Sequence, residues 1–190
     1  MTRPATGTWW WWSVAGLLAL GALLARDVPR EAIDWQPGRA IAEPWRWWSA
    51  VWVHYSRLHF AANVAGALLV GALGAAARLA PRAALAWLLA WPVTQLALAI
   101  EPRLVHYGGL SGVLHAGVAI VAVHLLQARG PRWLGALLLG GLLAKVLFEA
   151  PWQGPLVHRA GWDIAIAPLA HASGAASGLV FGWLLRAPAR

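Results

Sequence analysis

Apolar residues run along this chain in six blocks, at roughly 9–25, 60–77, 83–100, 111–128, 133–149 and 164–185, with most of the charge gathered between them. Each block is close to the about 17–25 residues a helix needs to cross the hydrocarbon core of a bilayer. The pattern predicts an all-α membrane protein, a bundle of six transmembrane helices in one domain spanning residues 1–190. The first block, in TWWWWSVAGLLALGALLA, imitates a secretory signal peptide, but it is long for one and bare of a cleavage site, so it reads as a span. Neither an internal repeat nor a low-complexity linker divides the chain.

Composition agrees with the pattern. The chain is 60% hydrophobic and 12% charged, with 15 tryptophans in 190 residues. A soluble domain of this length could not hide that much apolar surface. Tryptophans at 9–12, 45–52, 133 and 183 fall near block ends, where amphipathic rings favour the membrane interface. Cysteine is absent, which excludes disulfides and thiolate metal sites.

A net charge of +8 would suggest nucleic acid for a soluble protein, but here its distribution gives it a topological meaning. Arg3, Arg78, Arg82, Arg129, Arg132, Arg186 and Arg190 lie at the termini and in the second and fourth connections, with no acid among them. The seven acids, Asp27, Glu31, Asp34, Glu43, Glu101, Glu149 and Asp163, all fall to the other three connections. Six spans put both termini on one side, and cationic loops stay in the cytoplasm. Both termini are therefore expected to be cytoplasmic, with loops 26–58, 101–110 and 150–163 facing outward. The expected partners are the lipid bilayer and membrane-embedded molecules, not nucleic acid.

Polar side chains inside hydrocarbon are costly, so those within the blocks are functional candidates. Ser111 opens the fourth block in HYGGLSGVLHAGV, after two glycines that let the backbone dip into the protein. A serine at a helix start has free backbone N–H groups and the positive end of the dipole beside it, features that suit a nucleophile. The same residue also reads as an ordinary N-cap. His171, in AHASGAASG, stands one turn above Gly174 and Gly178, whose small face permits close approach of another helix. If that helix is the fourth, with Gly112 at the contact, His171 reaches Ser111 as a general base. Otherwise it makes an interhelical hydrogen bond without chemistry. Neither block contains an acid, so a dyad is the expected form. His59 and Asn63, four apart in HYSRLHFAANVAG, share a helical face and can both donate to an oxyanion. His54 lies nearer water and reads as ordering its loop.

These motifs together resemble the rhomboid family of intramembrane serine proteases. GLSG opens one span, AHxxGxxxG follows two spans later, HxxxxHxxxN lies in span two, and EPWRW precedes them as the family's Glu-x-Trp-Arg motif does. The resemblance implies a rhomboid-like six-helix bundle with Ser111 as nucleophile and His171 as base. It implies an oxyanion hole of His59, Asn63 and the Ser111 N–H, and an outer loop braced by Glu43, Trp45 and Arg46. His115 stands where the family commonly has an aromatic residue stacking on the catalytic histidine, and it is expected to support that ring. GLSGVLHAG and the minimal six spans look like the rhombosortase branch. Its substrates are exported bacterial proteins with a C-terminal glycine-rich transmembrane anchor, which implies a bacterial inner membrane and an active site open to the periplasmic side. No cofactor is implied, and no metal site is expected, since no HExxH pair occurs. The competing readings are a rhomboid protease with other membrane substrates, a non-catalytic binder of membrane segments, and a histidine-lined metal or proton pathway.

Overall fold

The computed structural model describes residues 7–128 and 130–186. Arg3, Arg129 and Arg190, three of the arginines behind the expected orientation, lie outside the described residues. Within them the chain is all-helical apart from two isolated bridges, Trp35 with Tyr107 and Val157 with Ile166. The long helices are α1 (Gly7–Leu24), α4 (Arg57–Ala76), α5 (Pro81–Leu96), α6 (Ser111–Gln127), α7 (Arg132–Glu149) and α8 (Pro168–Leu184). Two short helices, α2 (Arg30–Ile33) and α3 (Arg46–Ser49), lie in the connection between α1 and α4. Three segments are long and apolar enough to cross a membrane: Gly7–Asp27, Arg57–Ala76 and Pro81–Ile100. α6 is apolar but has 17 residues, while α7 carries Arg132, Lys145 and Glu149.

Local chemistry sets the helix starts. The Ser56 hydroxyl caps α4 by accepting the His59 N–H at 3.0 Å. Proline opens α5 and α8, where its fixed φ suits the first turn and its missing N–H costs nothing. Pro168 also corrects the last apolar block, which was expected to be helical from about residue 164. Proline disfavours helix in the residue before it. Residues ahead of it run extended instead, and Ile166 exchanges both backbone hydrogen bonds with Val157, at 2.9 and 3.0 Å.

α6 is the axis of the bundle, touching α4, α5, α7 and α8, while α1 packs on α4 and α5. Its buried residues include Val113, Leu114, Ala116, Ile120 and Val121. Large apolar side chains point outward around it, among them Leu20, Leu69, Leu137, Phe148 and Val180, as a lipid-facing surface requires. The tryptophans divide. Trp9, Trp10, Trp133 and Trp183 are exposed, as interface residues are, but Trp11, within the same run, is fully buried. It stacks on Trp87 with ring centroids 4.3 Å apart. The indole N–H groups of Trp11 and Trp87 donate to the Val70 and Val113 carbonyls at 2.9 and 2.7 Å. These two core indoles are thus each satisfied by a backbone carbonyl across a helix contact.

Candidate active site

The site forms where α6 and α8 touch backbone to backbone. A Cβ on Gly174 would collide with the Gly112 carbonyl oxygen, and one on Gly178 with the Ala116 carbonyl. Contact this close requires small residues on both helices. His171, three residues before Gly174, therefore faces Ser111, the residue before Gly112. Its Nε2 lies 2.8 Å from the Ser111 hydroxyl. The helix crossing, not a flexible loop, sets that distance.

The segment leading into Ser111 is held from the outer side. Gly109 has φ +136°, a conformation that favours glycine, and its N–H donates to Ala50 O at 3.1 Å. Tyr107 exchanges backbone hydrogen bonds with Trp35 at 2.8 and 3.0 Å. Its hydroxyl donates to the Gly109 carbonyl at 3.2 Å, and burial pushes that phenol up to about 12. Arg46, 1% exposed, sits at the centre of the outer loop. It donates to the Asp34 carbonyl at 2.7 Å, the Asp34 carboxylate at 3.1 Å, Glu43 Oε2 at 2.6 Å and the Glu31 carbonyl at 2.9 Å. The other Asp34 oxygen bonds His106 Nδ1 at 2.6 Å, tying this network to the 101–110 loop. Trp45 is half exposed, with its indole N–H 3.3 Å from the Ala32 carbonyl.

His59 and Asn63, buried on one face of α4, line the same cavity of about 270 Å³ as Ser111, His115, Glu149 and His171. A Cβ built on Gly109 would lie 2.7 Å from His59 Nε2 and 3.7 Å from Asn63 Nδ2, so both nitrogens face the backbone just ahead of the serine. His59 Nδ1 accepts the Tyr55 N–H at 3.4 Å, which places the proton of a neutral ring on Nε2, the cavity side. Among the described residues the Asn63 amide has no hydrogen-bond partner. His54 packs its ring 4.9 Å from that of His59 and donates from Nδ1 to the Trp52 carbonyl at 3.1 Å. Burial pushes its imidazole down to about 4. Leu156, Trp162 and residues 164–167 also line the cavity. The Ser56 hydroxyl donates to Asp163 at 2.7 Å and moors that loop to the start of α4.

His115 lies flat on His171, centroids 4.2 Å apart and planes within 10°. Its Nδ1–H donates to the Ser111 carbonyl at 2.6 Å. On the other side of the ring lies an acid that the sequence reading did not single out. Glu149 Oε2 accepts from His171 Nδ1 at 2.6 Å, and Glu149 Oε1 accepts from Lys145 at 2.6 Å. Neither α6 nor α8 supplies the acid; it comes from the last turn of α7. Position 149 looks like a loop acid because it ends an apolar block. The signal that marks it is Lys145, four residues earlier on one helical face of that block. His115, Glu149 and His171 bring ligand atoms within 4.8 Å of one another. The two rings are stacked, however, so their lone pairs run side by side instead of converging on an ion. Both His171 nitrogens already have hydrogen-bond partners.

Residues 42–188 match the family model of the Rhomboid domain. No curated protein matches the chain. The matched region contains the outer-loop arginine, the buried face of α4, the serine at the head of α6 and the histidine of α8, and the chain belongs to the rhomboid family.

Proposed function

We propose that this protein is an intramembrane serine endopeptidase in which Ser111 is the nucleophile and His171 its general base. The observation that carries the reading is the 2.8 Å contact between Ser111 Oγ and His171 Nε2 across the α6–α8 crossing. A serine hydroxyl is a poor nucleophile until a positioned base takes its proton. As the Oγ attacks a peptide carbonyl, His171 accepts that proton and later delivers it to the leaving amine. The developing oxyanion is received by the Ser111 N–H, the His59 Nε2–H and the Asn63 amide, donors already in place before the reaction. Water then hydrolyses the acyl-enzyme. His115 supports the His171 ring, and Glu43, Trp45 and Arg46 brace the outer loop. These steps use side chains and backbone alone.

The six long helices are read as six spans of a bacterial inner-membrane protein, with both termini cytoplasmic and the cavity opening to the periplasmic side. The arginines at 78, 82, 132 and 186 support that orientation. The substrate is the transmembrane tail of a membrane-anchored protein. A helix exposes no backbone carbonyl to attack, so the tail must unwind locally, and glycines lower that cost by about 1 kcal/mol each relative to alanine. This favours a glycine-rich C-terminal anchor of an exported protein, as in the rhombosortase branch.

A fluorophosphonate probe in detergent tests the chemistry. Ser111 of the wild type should be labelled, and Ser111→Ala should neither label nor cleave a tail-anchored reporter. Cleavage by that variant at the wild-type rate refutes the assignment. A reporter with its tail glycines replaced by leucine should be cut more slowly, and equal rates would remove the glycine-rich preference.

A further inference from the structure

We infer that Glu149 is a positioning residue for His171, completing a Ser111–His171–Glu149 triad drawn from three different helices. The inference rests on the protease reading above and adds a member to its machinery.

The geometry carries it. His171 is buried, and each of its ring nitrogens has a separate partner: Ser111 Oγ on Nε2 at 2.8 Å, and Glu149 Oε2 on Nδ1 at 2.6 Å. A neutral imidazole has one N–H and one lone pair. A carboxylate accepts only, so Glu149 holds the proton on Nδ1 and leaves the Nε2 lone pair facing the serine, the tautomer a general base requires. When His171 takes the serine proton, the ring becomes a cation with the carboxylate already beside it. Burying that cation without a counter-ion would be costly.

Lys145 gives the arrangement its third charge. Its ammonium binds Glu149 Oε1 at 2.6 Å and lies 3.5 Å from His171 Nδ1. It takes one carboxylate oxygen of Glu149 and leaves the other to His171. Being about half exposed, it holds this position at the rim of the cavity while Glu149 lies inside. His115, stacked on the ring, fixes the plane in which the Glu149–His171–Ser111 line runs. Carboxylate and stacked ring thus restrict different motions of the same imidazole, rotation about Cβ–Cγ and tilt.

Glu149→Gln in the full-length protein is the test, because it keeps the shape of the side chain and removes its charge. The amide can turn its NH₂ toward Nδ1, which favours the unproductive tautomer. Fluorophosphonate labelling of Ser111 should slow by roughly 10²–10⁴-fold, as loss of a triad acid does elsewhere. Glu149→Asp, which retains the charge, should recover part of that loss. Combining Glu149→Gln with His171→Ala should be no worse than His171→Ala alone, since Glu149 acts through that ring. A purely structural Glu149 would instead multiply the losses and lower the melting temperature. Nitrogen-15 NMR of labelled histidine reads the tautomer directly: His171 should be the Nδ1–H form in the wild type and lose that preference in Glu149→Gln. An unaltered tautomer, or Glu149→Gln labelled at the wild-type rate, overturns the inference. An unlabelled wild type refutes the protease reading instead, and the NMR result still decides whether Glu149 sets the ring.

Discussion

Asn63 is a buried amide on an apolar helix, with no hydrogen-bond partner among the described residues and its nitrogen turned toward the backbone ahead of Ser111. In the mechanism proposed above, that nitrogen is one of the donors that receive the oxyanion. His59 presents its Nε2 to the same spot. Removing one oxyanion donor typically costs about 10²–10³ in rate. Asn63→Ala and His59→Ala should each reduce cleavage of the reporter by no more than that, because the Ser111 N–H remains. Melting temperatures measured alongside should show both variants folded. A folded variant with no activity at all would transfer that residue to the role given to His171. Ser111, His171, His59 and Asn63 were each legible in the sequence as polar positions in apolar blocks. Glu149 was not, because an acid at the end of such a block looks like part of a solvated loop.

Between elements, the contact of α6 with α8 governs the site. Gly112 and Gly174 meet backbone to backbone, and Gly178 meets Ala116 one turn further along. Because His171 and Ser111 flank this crossing, their spacing depends on how closely the helices approach. Gly174→Val forces two methyl groups into a place already filled by the Gly112 carbonyl. Overpacking a core costs about 1–3 kcal/mol where side chains can adjust, and here the obstacle is backbone, which yields less. The variant should melt at a lower temperature and lose fluorophosphonate labelling of Ser111 together. Full labelling with an unchanged melting temperature would mean that this crossing does not set the site. The small-residue pattern AHASGAASG announced a close helix contact, but the identity of the partner helix came only from the packing.

At the scale of the molecule, the candidate site residues cluster at one end of the bundle. The Arg46 network, the loop into Ser111, the Glu149 end of α7 and the extended residues before α8 all meet there. If the six long helices are six spans with cytoplasmic termini, that end faces outward. The chain has no cysteine, so single introduced thiols report cleanly. Gly154, in the loop after α7, and Gly130, in the turn before it, would meet open space on gaining a side chain. With a membrane-impermeant maleimide applied to intact cells stripped of their outer membrane, Gly154→Cys should label and Gly130→Cys should label only after lysis. The opposite pattern would invert the topology and place the cavity on the cytoplasmic side.

The hydrophobic pattern alone determined the number and approximate ends of the long helices, because the apolar length needed to cross a bilayer is written directly into consecutive residues. It also marked Ser111, His171, His59 and Asn63 as candidates, since polar groups in apolar surroundings are conspicuous wherever they fold. The start of α8 moved from 164 to Pro168 because Ile166 found a backbone partner in Val157, a pairing that no local propensity encodes. Trp11 became core and not interface because α1 lies against α4 and α5. The acid beside His171 was decided by the tertiary structure for the same reason. Residues 111, 149 and 171 are far apart along the chain, and a hydrogen bond depends on distance in space. That distance exists only once α6, α7 and α8 have packed.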